Sequence, residues 1–203
     1  MIAIVDYGLG NIQAFEDIYR GLGADVIRAS TSERLSSATR IILPGVGSFD
    51  WAMRRLNRSG LRDTLDELVL SKRVPVLGVC VGMQMMARRS EEGSEAGLGW
   101  LNADVMRFRP AGSFPSLRVP HMGWNDVRCV KQGPLLHIGS VTYFYFLHSY
   151  FIAPDDESDV LASASYGRTF TAAIARGNVM GTQFHPEKSH QAGVNLLRNF
   201  GAL

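Results

Sequence analysis

The stretch RVPVLGVCVGMQMMA, residues 73–87, contains the transition on which the architecture depends. An unbroken apolar run that ends at Val79 is typical of a strand buried on both faces of a sheet. From Val81 onward the apolar residues recur at helical spacing, which predicts a helix that packs on that sheet. The helical residues available for the core are Met83, Met86 and Ala87. The pattern therefore predicts a strand followed at once by a helix, with Cys80 in the turn between them.

Strand-like apolar runs alternate with amphipathic stretches along the first half of the chain, which is typical of a parallel sheet covered by helices. We expect strands at 1–7, 24–29, 40–44 and 74–79, and helices at 11–22, 51–70 and 191–203. After residue 97, shorter alternating segments indicate antiparallel or mixed pairing. The predicted fold class is α/β: a three-layer, mainly parallel twisted sheet with flanking helices and some antiparallel strands in the C-terminal half. We expect one domain over residues 1–203.

Composition and charge exclude several classes of protein. The 203 residues are 46% hydrophobic and 20% charged, which is typical of a globular chain rather than a disordered or fibrous one. No window reaches about 18 consecutive apolar residues, and the first residues lack the pattern of a secretory signal, so we expect a cytoplasmic protein without membrane contact. A formal net charge of +2 is too small to predict nucleic-acid binding. Arginines recur at helical spacing in one stretch, which is typical of a solvated helix face.

Two cysteines, Cys80 and Cys129, do not make a disulfide framework. They stand far apart, and His185 and His190 lack the helical spacing of metal ligands, so no metal site is expected. Each cysteine is therefore either a small buried residue or a reactive thiol. Cys129 is interpreted as buried, without an assigned role.

Cys80 is flanked by Gly78 and Gly82, which gives the pattern G-x-C-x-G. This is the thiol version of the nucleophile elbow, where small flanking residues allow a tight strand-to-helix turn that presents the nucleophile. The N-terminus of the following helix favours a thiolate through its unpaired N–H groups and its dipole. The same pattern also fits a glycine-rich packing site around a buried cysteine, so catalysis requires a partner base.

A candidate base lies in GTQFHPEKSH, residues 181–190. Pro186 disfavours helix at His185, and in an extended segment His185 and Glu187 point to the same side. A carboxylate that holds one imidazole nitrogen leaves the other free to activate a nucleophile, as in a catalytic triad. A surface histidine beside a glutamate is the alternative for this pair taken alone.

The segment ILPGVGSF, residues 42–49, is a third candidate element, because a tight glycine turn follows a predicted strand. Backbone amides in such a turn are free to point at a ligand. Together with the amide of Val81, the amide of Val46 is expected to form an oxyanion hole for a tetrahedral intermediate. Glycines on both sides of Val46, at Gly45 and Gly47, would permit a peptide rotation that switches this donor. A simple turn is the alternative interpretation.

The motifs, in order, are DYGLGN (6–11), LPGVGSF (43–49), LGVCVGMQ (77–84), PHMGWN (120–125), FLHSY (146–150) and GTQFHPEKS (181–189). This set resembles the class I (triad) glutamine amidotransferases over nearly the whole chain. The resemblance implies that Cys80 attacks the side-chain amide of L-glutamine, that His185 transfers protons and that Glu187 orients it. It also implies that the substrate is held by Gly47, by Gln84 and by the backbone of residues 148–150, that is His148, Ser149 and Tyr150. No cofactor is expected.

Within that family the motifs are most similar to the glutaminase subunit of imidazole glycerol phosphate synthase. The resemblance implies a heterodimer with a (βα)8-barrel cyclase subunit, through which ammonia passes for histidine biosynthesis. Interface positions are matched by Asn11, Tyr145 and Lys188, and positions near the ammonia exit by Met122 and Trp124. Without the resemblance, the two aromatic residues fit a core and Lys188 fits a solvated charge.

Several alternatives stay open on sequence alone. Residues 11–23 and 48–60 resemble paralogues that supply ammonia to a nucleotide-sugar amidotransferase in surface-polysaccharide synthesis, and the catalytic motifs do not separate the two pathways. A dinucleotide-binding module would need glycine where Gln13 stands. A catalytically silent scaffold and an independent cysteine hydrolase are further alternatives. The triad residues at strand ends argue against the scaffold, and PHMGWN argues against the independent hydrolase.

Overall fold

The chain forms a large mixed sheet with flanking helices, and a small second sheet. The computed structural model describes residues 1–109, 117–137 and 139–203. The first strands are β1 (Ile2–Val5), β2 (Val26–Ala29), β3 (Arg40–Gly45), β4 (Val76–Cys80), β5 (Arg89–Ser90) and β6 (Ala103–Arg107). The later strands are β7 (His121–Cys129), β8 (Val141–His148), β9 (Tyr150–Pro154), β10 (Val160–Ser165), β11 (Thr169–Arg176) and β12 (Val179–Thr182).

The helices flank the large sheet, and the first four of them lie between consecutive parallel strands. They are α1 (Ile12–Gly21), α2 (Ser32–Ser36), α3 (Phe49–Arg58), α4 (Arg62–Asp66), α5 (Val81–Met85) and α6 (His190–Gly201). A π-helical turn, Glu67–Ser71, follows α4. Helices α1 and α6 pack against each other, as do α3 and α5. None of the helices that the structure describes is both long enough and apolar enough to cross a membrane.

The large sheet has the strand order β2-β1-β3-β4-β12-β11-β10-β7-β8, and β5-β6-β9 form the small sheet. Neighbouring strands from β2 to β12 run parallel, whereas those from β12 to β8 run antiparallel. The predicted α/β class, with antiparallel strands in the C-terminal half, is therefore confirmed. Among the strands that the structure describes, the antiparallel half of the large sheet has as many neighbouring pairs as the parallel half.

Strand β4 lies inside the large sheet, between its parallel neighbours β3 and β12. Its Val76 and Leu77 are fully buried, as expected for a strand covered on both faces. Parallel neighbours end at the same edge of a sheet, so Cys80 at the end of β4 lies beside Gly45 at the end of β3. This carboxyl edge is where α/β sheets bind their ligands.

The expected helix over 51–70 differs from the structure. It consists of two helices and the π-helical turn, interrupted after Arg58. Gly60 adopts a φ of +75°, a left-handed conformation that ends a helix and suits glycine. The apolar spacing continues through the break, which is why the pattern predicted one helix.

Candidate active site

Cys80 occupies a strained turn between β4 and α5. Its backbone has φ 55° and ψ −113°, which is rare for a residue with a side chain. Such strain, of about 1–3 kcal/mol, persists only where the surrounding structure enforces it, and it is typical of functional sites. The turn presents the thiol at the N-terminus of α5, as the elbow pattern predicts.

The glycines around Cys80 are required by close backbone approaches. A Cβ atom on Gly82 would lie 2.0 Å from the carbonyl oxygen of Leu43. A Cβ atom on Gly78 would lie 2.7 Å from the backbone of Met83. Helix α5 therefore packs directly on β3 and β4 with no side chain between, and this contact holds the elbow in place.

His185 and Glu187 form a buried pair close to the carboxyl end of β12. The His185 Nδ1 atom lies 2.9 Å from the Glu187 Oε1 atom, and their side chains are 4% and 2% exposed. An ionised carboxylate only accepts, so Nδ1 donates and Nε2 is the nitrogen left for the thiol. Burial lowers the pKa of His185, but interaction with the side chains of Cys80 and Glu187 raises it more, to about 10. The raised pKa therefore favours the imidazolium form of His185.

Two further groups surround the sulfur of Cys80. The Nε2 atom of Gln183 donates to Sγ at 3.7 Å, and the thiol can donate to the Leu147 carbonyl oxygen at 3.8 Å. Gln183 is fully buried, and its Oε1 atom accepts from Gln84 Nε2 at 3.0 Å. The sequence prediction missed Gln183, although its spacing of two from His185 in an extended segment was an available signal.

These groups open into a cavity of about 300 Å³ at the carboxyl edge of the sheet. It is lined by Val46, Gly47, Cys80, Val81, Gln84, Glu92, Pro120, Leu147, His148, Ser149, Tyr150, His185 and Lys188. The structure thus brings together the predicted nucleophile, the predicted base, the glycine turn and the residues expected to hold a substrate. Glu187 lies behind His185. Glu92, Pro120 and Leu147 were not predicted.

Glu92 places a carboxylate at this cavity although no motif pointed to it. Its Oε2 atom accepts a hydrogen bond from the backbone N–H of Phe49, at the start of α3, at 2.7 Å. This hydrogen bond fixes the position of the Glu92 carboxyl group at the cavity. Glu92 therefore places a carboxyl group where a cationic part of a ligand can bind.

The glycine turn after β3 reaches the mouth of the cavity. Gly47 has a φ of +84°, and Val46 is 36% exposed. A Cβ atom on Gly45 would lie 2.1 Å from the backbone nitrogen of Gly82, so this turn packs against the elbow. The backbone between Gly45 and Gly47 is therefore next to the nucleophile.

Most of the residues matched to an interface lie on one surface beside the cavity. Trp124 is 46% exposed, and its ring stacks on His190 and meets Tyr145 edge to face. The ammonium group of Lys188 lies 5.9 Å from the centre of the Tyr145 ring. Asn11 is exposed at the start of α1, which lies against the turn 186–188.

A family model described as "Glutamine amidotransferase class-I" matches residues 3–202. The chain is 52% identical to the imidazole glycerol phosphate synthase subunit HisH of Bdellovibrio bacteriovorus and 50% identical to that of Leptospira interrogans, with full coverage of both chains in each case. It is 48% identical, over 98% of both chains, to a protein of Pseudomonas aeruginosa named imidazole glycerol phosphate synthase subunit HisH 2.

Solved structures support the fold. One described as a glutamine amidotransferase has a TM-score of 0.76 at 19% identity and covers 100% of this chain and 99% of its own. A putative GMP synthase component from Thermoplasma acidophilum has a TM-score of 0.71 at 22% identity, covering 99% of this chain and 92% of its own. At these identities the likeness is one of fold.

Proposed function

The chain belongs to the class I glutamine amidotransferase family, and on that basis we propose that it is the glutaminase subunit of an imidazole glycerol phosphate synthase in histidine biosynthesis. It hydrolyses L-glutamine to glutamate and ammonia and passes the ammonia to a cyclase subunit. The observation that carries the proposal is the strained Cys80 elbow, which shares one cavity with the buried pair of His185 and Glu187. The proposed location is the cytoplasm.

The proposed chemistry proceeds in two steps. The Cys80 sulfur attacks the carboxamide carbon of glutamine, and His185 gives a proton to the amide nitrogen as the C–N bond breaks and ammonia leaves. The resulting thioester is attacked by a water molecule, from which His185 takes a proton, and the C–S bond breaks to release glutamate. Glu187 keeps its hydrogen bond to Nδ1 throughout, so Nε2 carries the proton in both directions.

Backbone amides are proposed to stabilise the oxyanion of each tetrahedral intermediate. The amide of Val81 directly follows the nucleophile at the N-terminus of α5, where N–H groups lack helical partners. The amide of Val46 is the second proposed donor, and glycine on either side makes rotation of this peptide sterically easy. Loss of one oxyanion donor typically costs about 10²- to 10³-fold in rate, so the rotation would act as a switch.

Glutamine is proposed to bind along residues 148–150 with its α-ammonium group toward Glu92 and Gln84. Both N–H groups of Gln84 are already used, since its Nε2 donates to the Tyr150 carbonyl and to Gln183. The Gln84 oxygen therefore remains as an acceptor, which suits an ammonium group. The amide of Gly47 is the proposed contact for the α-carboxylate.

The partner is proposed to cover the outer surface of the β7–β8 hairpin. Met122 is 66% exposed and Tyr143 60% exposed, and together with Trp124 they form an apolar patch beside the cavity. A contiguous apolar patch of this kind marks an interaction site. We propose a (βα)8-barrel cyclase as the occupant, with Asn11, Tyr145 and Lys188 at the interface and ammonia leaving near Met122 and Trp124.

The hairpin that would meet the partner also contacts the catalytic segment. The backbone N–H of His185 donates to the Tyr145 carbonyl at 2.9 Å, and the Tyr145 N–H donates to Ser189 Oγ at 3.0 Å. A partner that shifts β8 would therefore shift the base. This supports control of hydrolysis by the partner, which would prevent the release of ammonia without an acceptor.

The test compares glutaminase rates for the chain alone, with its cyclase subunit, and with cyclase plus acceptor nucleotide. We expect little activity alone and full activity only in the last mixture. Cys80→Ala in the complex should abolish synthesis from glutamine and preserve synthesis from added ammonium salts. Failure with both nitrogen sources would contradict the proposed division of labour, and stimulation only by a nucleotide-sugar system would favour the polysaccharide paralogue.

A further inference from the structure

Two buried histidines lie next to each other at the candidate site, His148 in the cavity lining and His121 behind it, and the proposed mechanism uses the side chain of neither. His121 and His148 face each other in the register of β7 and β8 and are 3% and 6% exposed. The His121 ring lies between the rings of Phe146 and Tyr166, with ring centres 4.7 Å and 4.1 Å away. Two imidazoles in such a place need a specific arrangement of protons, because a buried polar group without a partner is costly.

The neighbours of the two rings determine where the protons lie. The Nδ1 atom of His148 is 2.8 Å from the Tyr150 carbonyl oxygen, which only accepts, so Nδ1 carries a proton. The Nε2 atom of His148 therefore accepts from Nδ1 of His121 at 2.9 Å. The Nε2 atom of His121 in turn accepts from Asn125 Nδ2 at 3.2 Å. Burial lowers the pKa of His121 to about 4 and is the largest cause that lowers the pKa of His148, to about 3. Both rings are therefore neutral.

The same chain of hydrogen bonds continues to the nucleophile. The Tyr150 carbonyl, which accepts from His148, also accepts from Gln84 Nε2 at 3.0 Å. Gln84 Nε2 donates as well to Gln183 Oε1, and Gln183 Nε2 donates to the Cys80 sulfur. Each donor faces an acceptor from Asn125 to Cys80. Reversing one ring would thus leave unpaired groups along the line.

We propose that His121 is a positioning residue for glutamine hydrolysis: by donating to His148 it fixes that ring, and through it the Tyr150 carbonyl and the Gln84 amide that line the substrate cavity. This inference rests on the proposed glutaminase function. His121 touches neither the substrate cavity nor the sulfur, so its effect is transmitted through His148. A merely apolar partner at position 121 would leave His148 Nε2 without a donor.

Three variants separate positioning from packing. His121→Phe keeps a ring between Phe146 and Tyr166 but removes both nitrogens. His121→Asn loses the ring but keeps an N–H at the place of Nδ1, so it can still donate to His148. Tyr166→Leu removes a stacking ring without removing any atom of the hydrogen-bond chain, and is the matched control.

The measurements are kcat/KM for glutamine in the complex with the cyclase subunit, covalent labelling of Cys80 by an electrophilic glutamine analogue, and NMR shifts of the His148 ring nitrogens. We expect His121→Phe to lower kcat/KM and the labelling rate by roughly tenfold, the effect of one unpaired buried group. The shifts should then show a changed tautomer balance. His121→Asn should restore most of the rate, and Tyr166→Leu should lower the unfolding temperature more than the rate.

Wild-type protein that neither hydrolyses glutamine nor reacts with the analogue would refute the proposed function itself. An active wild type with an equally active His121→Phe variant would overturn only the positioning role. The inference would also be overturned if His121→Asn did not restore the rate and Tyr166→Leu lost as much activity as His121→Phe. His121 would then act through packing alone.

Discussion

Acid should destabilise this protein through His121, and the size of the effect follows from the burial of its ring. Burial holds the folded-state pKa of His121 at about 4, whereas an exposed histidine in the unfolded chain titrates near its ordinary value of about 6.5. The pKa is lowered on folding, so the unfolded state binds the proton first. The contribution of His121 to stability is therefore complete above about pH 6.5 and is lost as the pH falls toward 4.

The magnitude follows from the ordinary pKa of the unfolded state. At pH 5 the ring of His121 is still neutral in the folded protein but is protonated in the unfolded chain, because this pH lies about 1.5 units below its ordinary pKa of about 6.5. Protonation of the unfolded chain lowers the free energy of unfolding by about 2 kcal/mol relative to pH 8. His185 acts in the opposite direction, because its pKa is raised on folding to about 10. Its stabilisation is complete below about pH 6.5 and is lost as the pH rises through 10.

The assay is urea unfolding of the wild type and of His121→Phe at pH 8 and pH 5. All other titrating groups are the same residues in both proteins, so the difference between their two pH dependences measures the titration of His121 together with its coupling to the neighbouring His148. The wild type should lose about 2 kcal/mol more than the variant between the two pH values. Equal losses of unfolding free energy in the two proteins would show that His121 is already charged, or exposed, in the folded protein. That result would refute the conclusion that the His121 and His148 rings are both neutral.

Three further predictions concern the site and its support. His185→Asn should lower kcat by about 10⁶-fold, as for loss of a triad nucleophile. Glu187→Gln should lower kcat by a factor about 100-fold smaller, because Glu187 orients the ring without transferring the proton. Rapid-quench assays with both nitrogen sources measure these rates. Glu92→Gln can still accept the hydrogen bond from the N–H at the start of α3, but it lacks a carboxylate charge. The KM for glutamine should therefore rise roughly tenfold with kcat little changed. An unchanged KM would show that the carboxylate does not bind the substrate. Gly82→Ala should lower the free energy of unfolding in urea by about 1–3 kcal/mol or more, because the new Cβ atom would lie 2.0 Å from a strand carbonyl oxygen. The control Gly21→Ala, whose Cβ atom would have nothing within 4 Å, should be neutral or stabilising.

Local patterns are enough to predict the pieces that lie close together in sequence. The apolar run and its flanking glycines predict the strand-to-helix turn at Cys80, and the structure has a strand ending and a helix beginning there. The spacing of two around a proline predicts the contact between His185 and Glu187, and the structure has the hydrogen bond. Their catalytic roles stay predictions.

Other parts of the site have no local signal. Strand β7 was not predicted, because Gly123 and alternating exposed side chains within it interrupt the apolar pattern. Glu92 reaches the cavity from the loop after β5, and Gln183 reaches the sulfur from the end of β12. His121 is part of a recognised motif but had no role of its own.

The α/β class, the alternation of strands and helices in the first half of the chain and the elbow can be read from the amino-acid sequence, because each depends on spacing within short stretches of chain. The family is read from six motifs in their order along the chain. Strand β12, which completes the parallel half, lies in a segment for which the sequence favoured antiparallel or mixed pairing. The meeting of Glu92, Gln183 and the buried histidine pair around one cavity depends instead on the packing of the strands. Those contacts join residues far apart in the chain, and their hydrogen-bond directions depend on which acceptors face each donor. A proton on one ring of His121 or His148 is placed by the carbonyl of Tyr150 and the amide of Asn125. Such a choice exists only after the strands have paired, since in the unfolded chain water satisfies every one of these groups.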